Sequence, residues 1–473
     1  MLFNSTEFLV FLIVVFLTHW VILRDRQRLQ NIMLLVASCA FYMFFIPKYI
    51  LILFITILID YFAGMWIARS EGRRRKVYLV VSIISTCLVL FVFKYFNFFI
   101  DNVNGIAQLI GWNYKASHLE IILPIGLSFH TFQSLSYVIE VYWRKQKPEK
   151  DFITYSLYVM YFPQLVAGPI ERAANLLHQF HEKKRFQFAL AAEGVHQILW
   201  GFFKKIVIAD TCAAYANHAF AHYEELSGLS LFLGAVAFAF QIYGDFSGYS
   251  DIALGTSKLF GVRLMRNFNL PYFAKSIPDF WRRWHISLST WFRDYVYFPL
   301  GGSRVGGWKV YRNVFIIFLV SGFWHGANWT FVAWGLTHAI CYSAYHLIWG
   351  NGKEATGSST SSTVFSGAIT FIVVVIAWVF FRAENVTQAF SYLSGIATHT
   401  FASSDVWGFL PLLALLIPFH LLEYVNRGSE NVVLLENVAV PKFWKRALEL
   451  ALALLIIDCF YTLNHEQFIY FQF

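Results

Sequence analysis

Apolar runs of near-membrane-spanning length recur along the whole chain, separated by short polar and often basic stretches. They cover Phe8–Leu23, Ile32–Ile46, Tyr49–Ala68, Val77–Ile100, Ile121–Val141, Ile153–Val166, Gly194–Ala216, Leu229–Ile242, Val314–Trp324, Thr330–Trp349, Val364–Phe381, Val406–Val425 and Ala447–Leu463. A spanning helix needs about 20 apolar residues, and a backbone in lipid must satisfy its own hydrogen bonds, which selects helices for runs of this kind. Several runs fall short of that length and read as re-entrant or interfacial. The pattern predicts an all-α polytopic membrane protein with about ten to twelve transmembrane helices plus re-entrant or interfacial helices.

The organisation follows from the same pattern. Residues 1–350 read as the membrane body, the stretch Asn351–Thr363 as a polar linker, and 364–473 as C-terminal helices completing the same domain. The segment Pro169–Glu193, with its cluster Glu182, Lys183, Lys184 and Arg185, reads as interfacial. Met1–Glu7 lacks a basic start and Phe8–Leu23 runs into Arg24 rather than a small-residue cleavage site, so this run reads as a retained span.

Composition agrees. The 473 residues are 58% hydrophobic and 14% charged, against about 25% charged in soluble domains. Net charge is 37 − 28 = +9, but the basic residues cluster in short loops, so topology accounts for the excess and nucleic acid is not an expected partner. Arg24, Arg26 and Arg28 follow the first run, Arg69 and Arg73–Lys76 the third, and Arg144, Lys145, Lys147 and Lys150 the fifth; the intervening 101–120 stretch has only Lys115. Positive charge gathers on the cytoplasmic side, which puts the N-terminus outside. The five cysteines are scattered without a Cys-x-x-Cys pair, which argues against a disulfide framework or a cysteine-based zinc site.

The candidate chemistry lies in polar residues inside apolar sequence. Two histidines stand out: His285 in Phe280–Asp294 and, forty residues later, His325 in Ser321-Gly-Phe-Trp-His-Gly-Ala-Asn-Trp329. Ionisable groups at membrane depth are costly and mark cavities and proton relays, and histidine titrates where proton transfer is useful. Between Ser276 and Leu300, Arg282, His285, Ser289 and Arg293 fall on one face of a predicted helix; a buried site helix and an interfacial amphipathic helix both fit. Gly326 and Ala327 leave room beside His325 for a substrate, and Trp324 and Asn328 are candidate tunnel or donor-binding positions. His338 falls on another face and reads as structural.

Gln241-Ile-Tyr-Gly-Asp-Phe-Ser-Gly-Tyr-Ser-Asp251 is a glycine-broken polar stretch. It reads either as a tunnel wall carrying Tyr243, Asp245, Ser247, Tyr249 and Asp251, or as a surface loop. His130 and Gln133, beside Pro124 and Gly126, and the turn Phe162–Arg172 read as cavity-shaping elements or as kinked packing. No matching ligand cluster supports a metal, and no Gly-x-Ser-x-Gly elbow, Walker loop or dinucleotide fingerprint occurs.

Taken together, Pro124–Gln133, Phe162–Arg172, Gln241–Asp251, Asn267-Phe-Asn-Leu-Pro-Tyr272, Phe280–Pro299, Ser321–Trp329 and Trp378-Val-Phe-Phe-Arg-Ala383 resemble the membrane-bound O-acyltransferase family, in particular its bacterial alginate O-acetyltransferase-like branch. The resemblance implies a helical funnel, with His325 as catalytic base and His285 at the second signature position, orienting the donor or stabilising the oxyanion. It implies an acetyl group taken from cytoplasmic acetyl-CoA, a co-substrate rather than a bound cofactor. The acetyl group would pass across the bacterial inner membrane, through periplasmic or extracytoplasmic partner proteins, to a polysaccharide such as alginate or cellulose. D-alanyl transfer from a carrier protein to teichoic acid, and a polysaccharide-export transporter or scaffold, are the alternatives.

Overall fold

A computed structural model describes residues 1, 3–121, 123–166, 168–350, 360–400, 404–427, 441–462 and 468–469. The described residues are helices joined by short irregular segments. Five helical stretches among them are long and apolar enough to cross a membrane: Pro47–Arg69, Gly72–Leu109, Gly228–Leu259, Ser362–Arg382 and Val406–Val425. Thr6–Ile22 is a shorter apolar helix. Most of the linker expected at 351–363 lies outside the described residues.

The chain divides into two compact units, Met1–Ala191 with Thr256–Met265, and Ala192–Gly255 with Arg266–Phe473. In the first unit the expected run Ile153–Val166 is two helices, Phe152–Met160 and Phe162–Leu165. The reason is Pro163, which has no N–H to give to the Val159 carbonyl one turn back. His130 Nδ1 supplies that hydrogen bond instead, at 3.1 Å. Phe162 N–H turns to Ser38 Oγ, at 3.0 Å. The Tyr158 carbonyl it leaves accepts from Gln133 Nε2 at 2.6 Å and Gln164 Nε2 at 2.7 Å. His130 and Gln133 thus satisfy the carbonyls of a proline break. Their helix, Leu127–Tyr142, begins after Gly126 at φ +75, where a Cβ would lie 2.4 Å from the Leu165 carbonyl oxygen. One of the basic loop residues is also structural: Arg75 is buried and caps this helix, donating to the carbonyls of Val141 and Tyr142 at 2.9 and 2.5 Å.

In the second unit, Gln241–Asp251 is neither broken nor a loop. It is the interior of one 32-residue helix, Gly228–Leu259. Its glycines serve close packing. A Cβ on Gly244 would lie 2.9 Å from the Lys204 carbonyl oxygen, one on Gly248 2.8 Å from that of Gly201, and one on Gly255 2.5 Å from that of Gly194. Small residues four apart let two helix backbones approach, as in membrane helix pairs. The partner stretch is helical from Phe188 to Ala221 with a π segment at Phe203–Ala209, and it carries Lys204 and Lys205 inside the seam.

Candidate active site

His325 is the last residue of the helix Trp308–His325. Three residues turn the chain into the helix Trp329–Trp349. The two helices meet through glycines: a Cβ on Gly322 would sit 2.2 Å from the Phe331 carbonyl oxygen, and one on Gly335 2.3 Å from that of Phe318. This close approach buries His325, 4% exposed, at the tip of the hairpin. Rings of Trp324, Trp334 and Phe381 surround it at centroid distances of 5.0, 5.1 and 5.3 Å.

One expectation about its neighbours is corrected. Gly326 does not open space for a substrate: a Cβ there would be 2.0 Å from the Phe331 ring, so the missing side chain seats an aromatic. Asn328 is a helix cap. Its Oδ1 accepts from Thr330 N–H at 3.0 Å and its Nδ2 donates to the Glu384 carbonyl at 2.8 Å.

A Gly322→Val variant is expected to force these two backbones apart. Overpacking of this kind costs about 1–3 kcal/mol. The measurement is folded yield by size exclusion and activity per folded molecule, with Gly105→Val as control, since an added Cβ there meets nothing within 4 Å. Gly322→Val should lose both; Gly105→Val should lose neither.

His285 is held differently. Ser276 Oγ accepts from Asp279 N–H at 3.2 Å and starts the helix Ile277–Arg283. The helix then stops. His285 takes a left-handed backbone, φ +43 and ψ +56, and a new helix runs Ile286–Phe292. A non-glycine residue in this region costs about 1–3 kcal/mol and persists where surroundings enforce it. Here the 267–269 segment enforces it: Ile286 N–H donates to the Asn267 carbonyl and Asn269 N–H to the Arg283 carbonyl, both at 2.8 Å.

The break overturns the single polar face expected for Arg282, His285, Ser289 and Arg293. Arg282, Ser289 and Arg293 line a cavity of about 530 Å³ with Trp281, Phe318 and Tyr342, and neither His285 nor His325 is on its wall. Arg282 lies 3.6 Å from Asp279 and Arg293 2.8 Å from Asp294, both arginines more than half exposed. Ser289 Oγ donates to the Trp284 carbonyl at 3.2 Å. His285 is fully buried instead, with Nδ1 3.1 Å from Asn267 Oδ1 and Phe246 edge-on at 4.7 Å. A run of rings joins the two histidines: His325 to Trp334, Trp334 to Trp378 at 5.9 Å, Trp378 to Trp284 at 5.0 Å, Trp284 to Phe268 at 5.0 Å, and Phe268 to His285 at 6.4 Å. His338 packs beside Trp334, its Nδ1 accepting from Trp281 Nε1 at 3.3 Å.

The remaining polar candidates are held by buried partners on neighbouring segments. Lys205 Nζ lies 2.7 Å from Asp210 and 2.9 Å from Asp245. Lys204 Nζ pairs with Asp251 and donates to Ser247 Oγ at 2.9 Å. Tyr243 donates to Glu423 at 2.5 Å, Asp245 also accepts from Ile469 N–H at 2.6 Å, and the Tyr249 ring packs tilted against Phe468 at 4.4 Å. Lys204, Lys205, Asp210 and Glu423 were not among the expected site residues. The signal was present: two adjacent lysines in the apolar run Gly194–Ala216, with Asp210 five residues on.

The chain is similar to known membrane O-acyltransferases. The model of the membrane-bound O-acyltransferase family matches residues 146–385. The chain is 40% identical over 395 residues to the probable alginate O-acetylase AlgI of Pseudomonas aeruginosa, spanning 82% of this chain and 73% of that one. It is 36% identical over 428 residues to a peptidoglycan O-acetyltransferase of Helicobacter pylori, spanning 84% and 80%. A teichoic acid D-alanyltransferase of Bacillus subtilis is 28% identical over 285 residues, spanning 56% and 70%.

Proposed function

The chain belongs to the membrane-bound O-acyltransferase family, and from that premise we propose that it moves an acetyl group from cytoplasmic acetyl-CoA towards hydroxyls of an extracytoplasmic polysaccharide. It is an O-acyltransferase, which sets aside the export-scaffold alternative. One observation carries the acetyl assignment. Relatives named as acetyl-transferring match over more than four-fifths of this chain at 36–40% identity, whereas the D-alanyl-transferring one matches over 56% at 28%. The two acetyl-transferring relatives are named for different glycans, alginate and peptidoglycan, so a hydroxyl-bearing polysaccharide is the shared acceptor chemistry.

In this reading His325 is the base. It takes the acceptor's hydroxyl proton, the oxygen attacks the thioester carbonyl, the C–S bond breaks, and the proton follows the departing thiolate. Dry aromatic walls strengthen the electrostatics of such a step. Arg282 and Ser289, at the 530 Å³ cavity, are the side chains proposed to receive the donor, and His285 serves from the buried side. Cytoplasmic loops rich in Lys and Arg support a multi-pass inner-membrane protein with its N-terminus outside. Ten to twelve spans require shorter helices to cross or re-enter beyond the five long ones. Partner proteins would carry the acetyl group onward.

The test is donor choice by the purified protein. Radiolabelled acetyl-CoA should be hydrolysed or transferred, and a D-alanyl-loaded carrier protein should not. Turnover of the D-alanyl carrier alone would replace this reading with teichoic acid D-alanylation.

A further inference from the structure

We infer that Asn267 is a positioning residue that holds His285 as the Nδ1–H tautomer, which makes Nε2 the acceptor nitrogen of the neutral ring. This rests on His285 serving acyl transfer as proposed above.

The amide orientation decides the tautomer. Asn267 and His285 are both buried, at 1% and 0% exposure. Asn267 Oδ1 lies 3.1 Å from His285 Nδ1, and it accepts from Ser287 Oγ at 2.9 Å and from Ser287 backbone N–H at 3.3 Å. Its Nδ2 donates to Ser250 Oγ at 3.3 Å. A backbone N–H only donates, so the amide atom that faces Ser287 is the oxygen. The reverse orientation would set NH₂ against N–H at Ser287. Ser287 Oγ also lies 3.4 Å from Nδ1, but its single proton goes to Asn267 Oδ1 at the shorter 2.9 Å, so both oxygens facing Nδ1 bond to it only if Nδ1 carries the proton, and in a neutral imidazole that leaves Nε2 as the acceptor.

The backbone reinforces this. Asn267 holds the ring through its side chain and the strained left-handed turn through its carbonyl, which accepts from Ile286 N–H at 2.8 Å. Phe246, at 89° to the imidazole, and Phe268, at 23°, flank the ring. The consequence revises the role expected from sequence. A neutral His285 in this tautomer does not donate from Nε2 to an oxyanion; it accepts a hydrogen bond or a proton. If it takes a proton at Nε2, Asn267 Oδ1 stays bonded to Nδ1–H of the imidazolium.

The direct test needs no turnover, so its failure is distinct from failure of the acyltransferase reading. The full chain, labelled with ¹⁵N-histidine and reconstituted in bilayers, is examined by magic-angle-spinning NMR, with His285 assigned by the signals that vanish in His285→Gln. Protonated Nδ1 with unprotonated Nε2 is the expected result. The opposite tautomer overturns the proposal.

Acyl-thioester turnover supplies the second test. Asn267→Ala should lower kcat by about ten- to hundred-fold, the scale seen for partners that orient ligating histidines, with KM for the thioester unchanged. Asn267→Asp, which keeps an acceptor at Nδ1–H, should recover most of the kcat that Asn267→Ala loses. Equal loss in both variants, or native kcat in Asn267→Ala, overturns the proposal. If Asn267→Ala does not fold, the tautomer of the unmodified chain still decides.

Discussion

Replacing His325 by Ala is expected to lower acyl transfer by roughly 10²–10⁴-fold, the usual contribution of a positioned general base, while the protein still inserts and folds. The fold should survive because His325 sits at the end of its helix and because the seam through Gly322 and Gly335 that holds the hairpin is backbone packing. The Trp324, Trp334 and Phe381 rings around it would close partly over the lost imidazole. The measurement is acetyl-CoA-dependent transfer by purified variant and native protein, with size exclusion and helical circular dichroism as the folding control. Native-level transfer by a folded His325→Ala protein would falsify the base assignment.

The largest expected effect on stability lies elsewhere, at Lys205. Its ammonium is 1% exposed, between Asp210 at 1% and Asp245 at 3%. Removing one partner of a buried ion pair leaves charge stranded out of water and costs about 3–5 kcal/mol. Lys205→Met should therefore unfold at much lower denaturant or temperature than the native protein, or fail to accumulate. The combination of Lys205→Met with Asp210→Asn and Asp245→Asn should recover most of the loss. Neutral amides carry no stranded charge, and the amide introduced by Asp245→Asn would keep an oxygen for Ile469 N–H. A single variant as stable as the native chain would mean that the carboxylates are not held as charges against this lysine.

That network shows why part of the site was illegible in the sequence. Read along the chain, Tyr243, Asp245, Ser247, Tyr249 and Asp251 look like a polar patch broken by glycines, and Lys204 and Lys205 look like interruptions of an apolar run. Only when Gly244, Gly248 and Gly255 let the two helices touch do acid and base meet across the seam. Glycine in a membrane helix signals close approach as readily as it signals a break, and the residue pattern of one helix carries no information about which neighbour approaches. The same holds for Gly326, whose small size seats Phe331, and for His130, whose task was set by a proline 33 residues away.

The sequence by itself determined the all-helical membrane class, through apolar runs too long and too poor in charge for water. It determined the family, through motifs spread over about half the chain, and it singled out His325 and His285, because ionisable residues in apolar sequence are costly enough to need a reason. Tertiary structure alone decided where those side chains point. The left-handed turn at His285 separated it from Arg282, Ser289 and Arg293, which share a helical period with it but not a face, because the backbone dihedral of one residue reorients everything after it. It also gave His285 to Asn267, a partner 18 positions earlier that no periodicity links to it. Side-chain hydrogen bonds between distant segments depend on how the segments pack, and packing is settled by the whole fold rather than by any stretch of it.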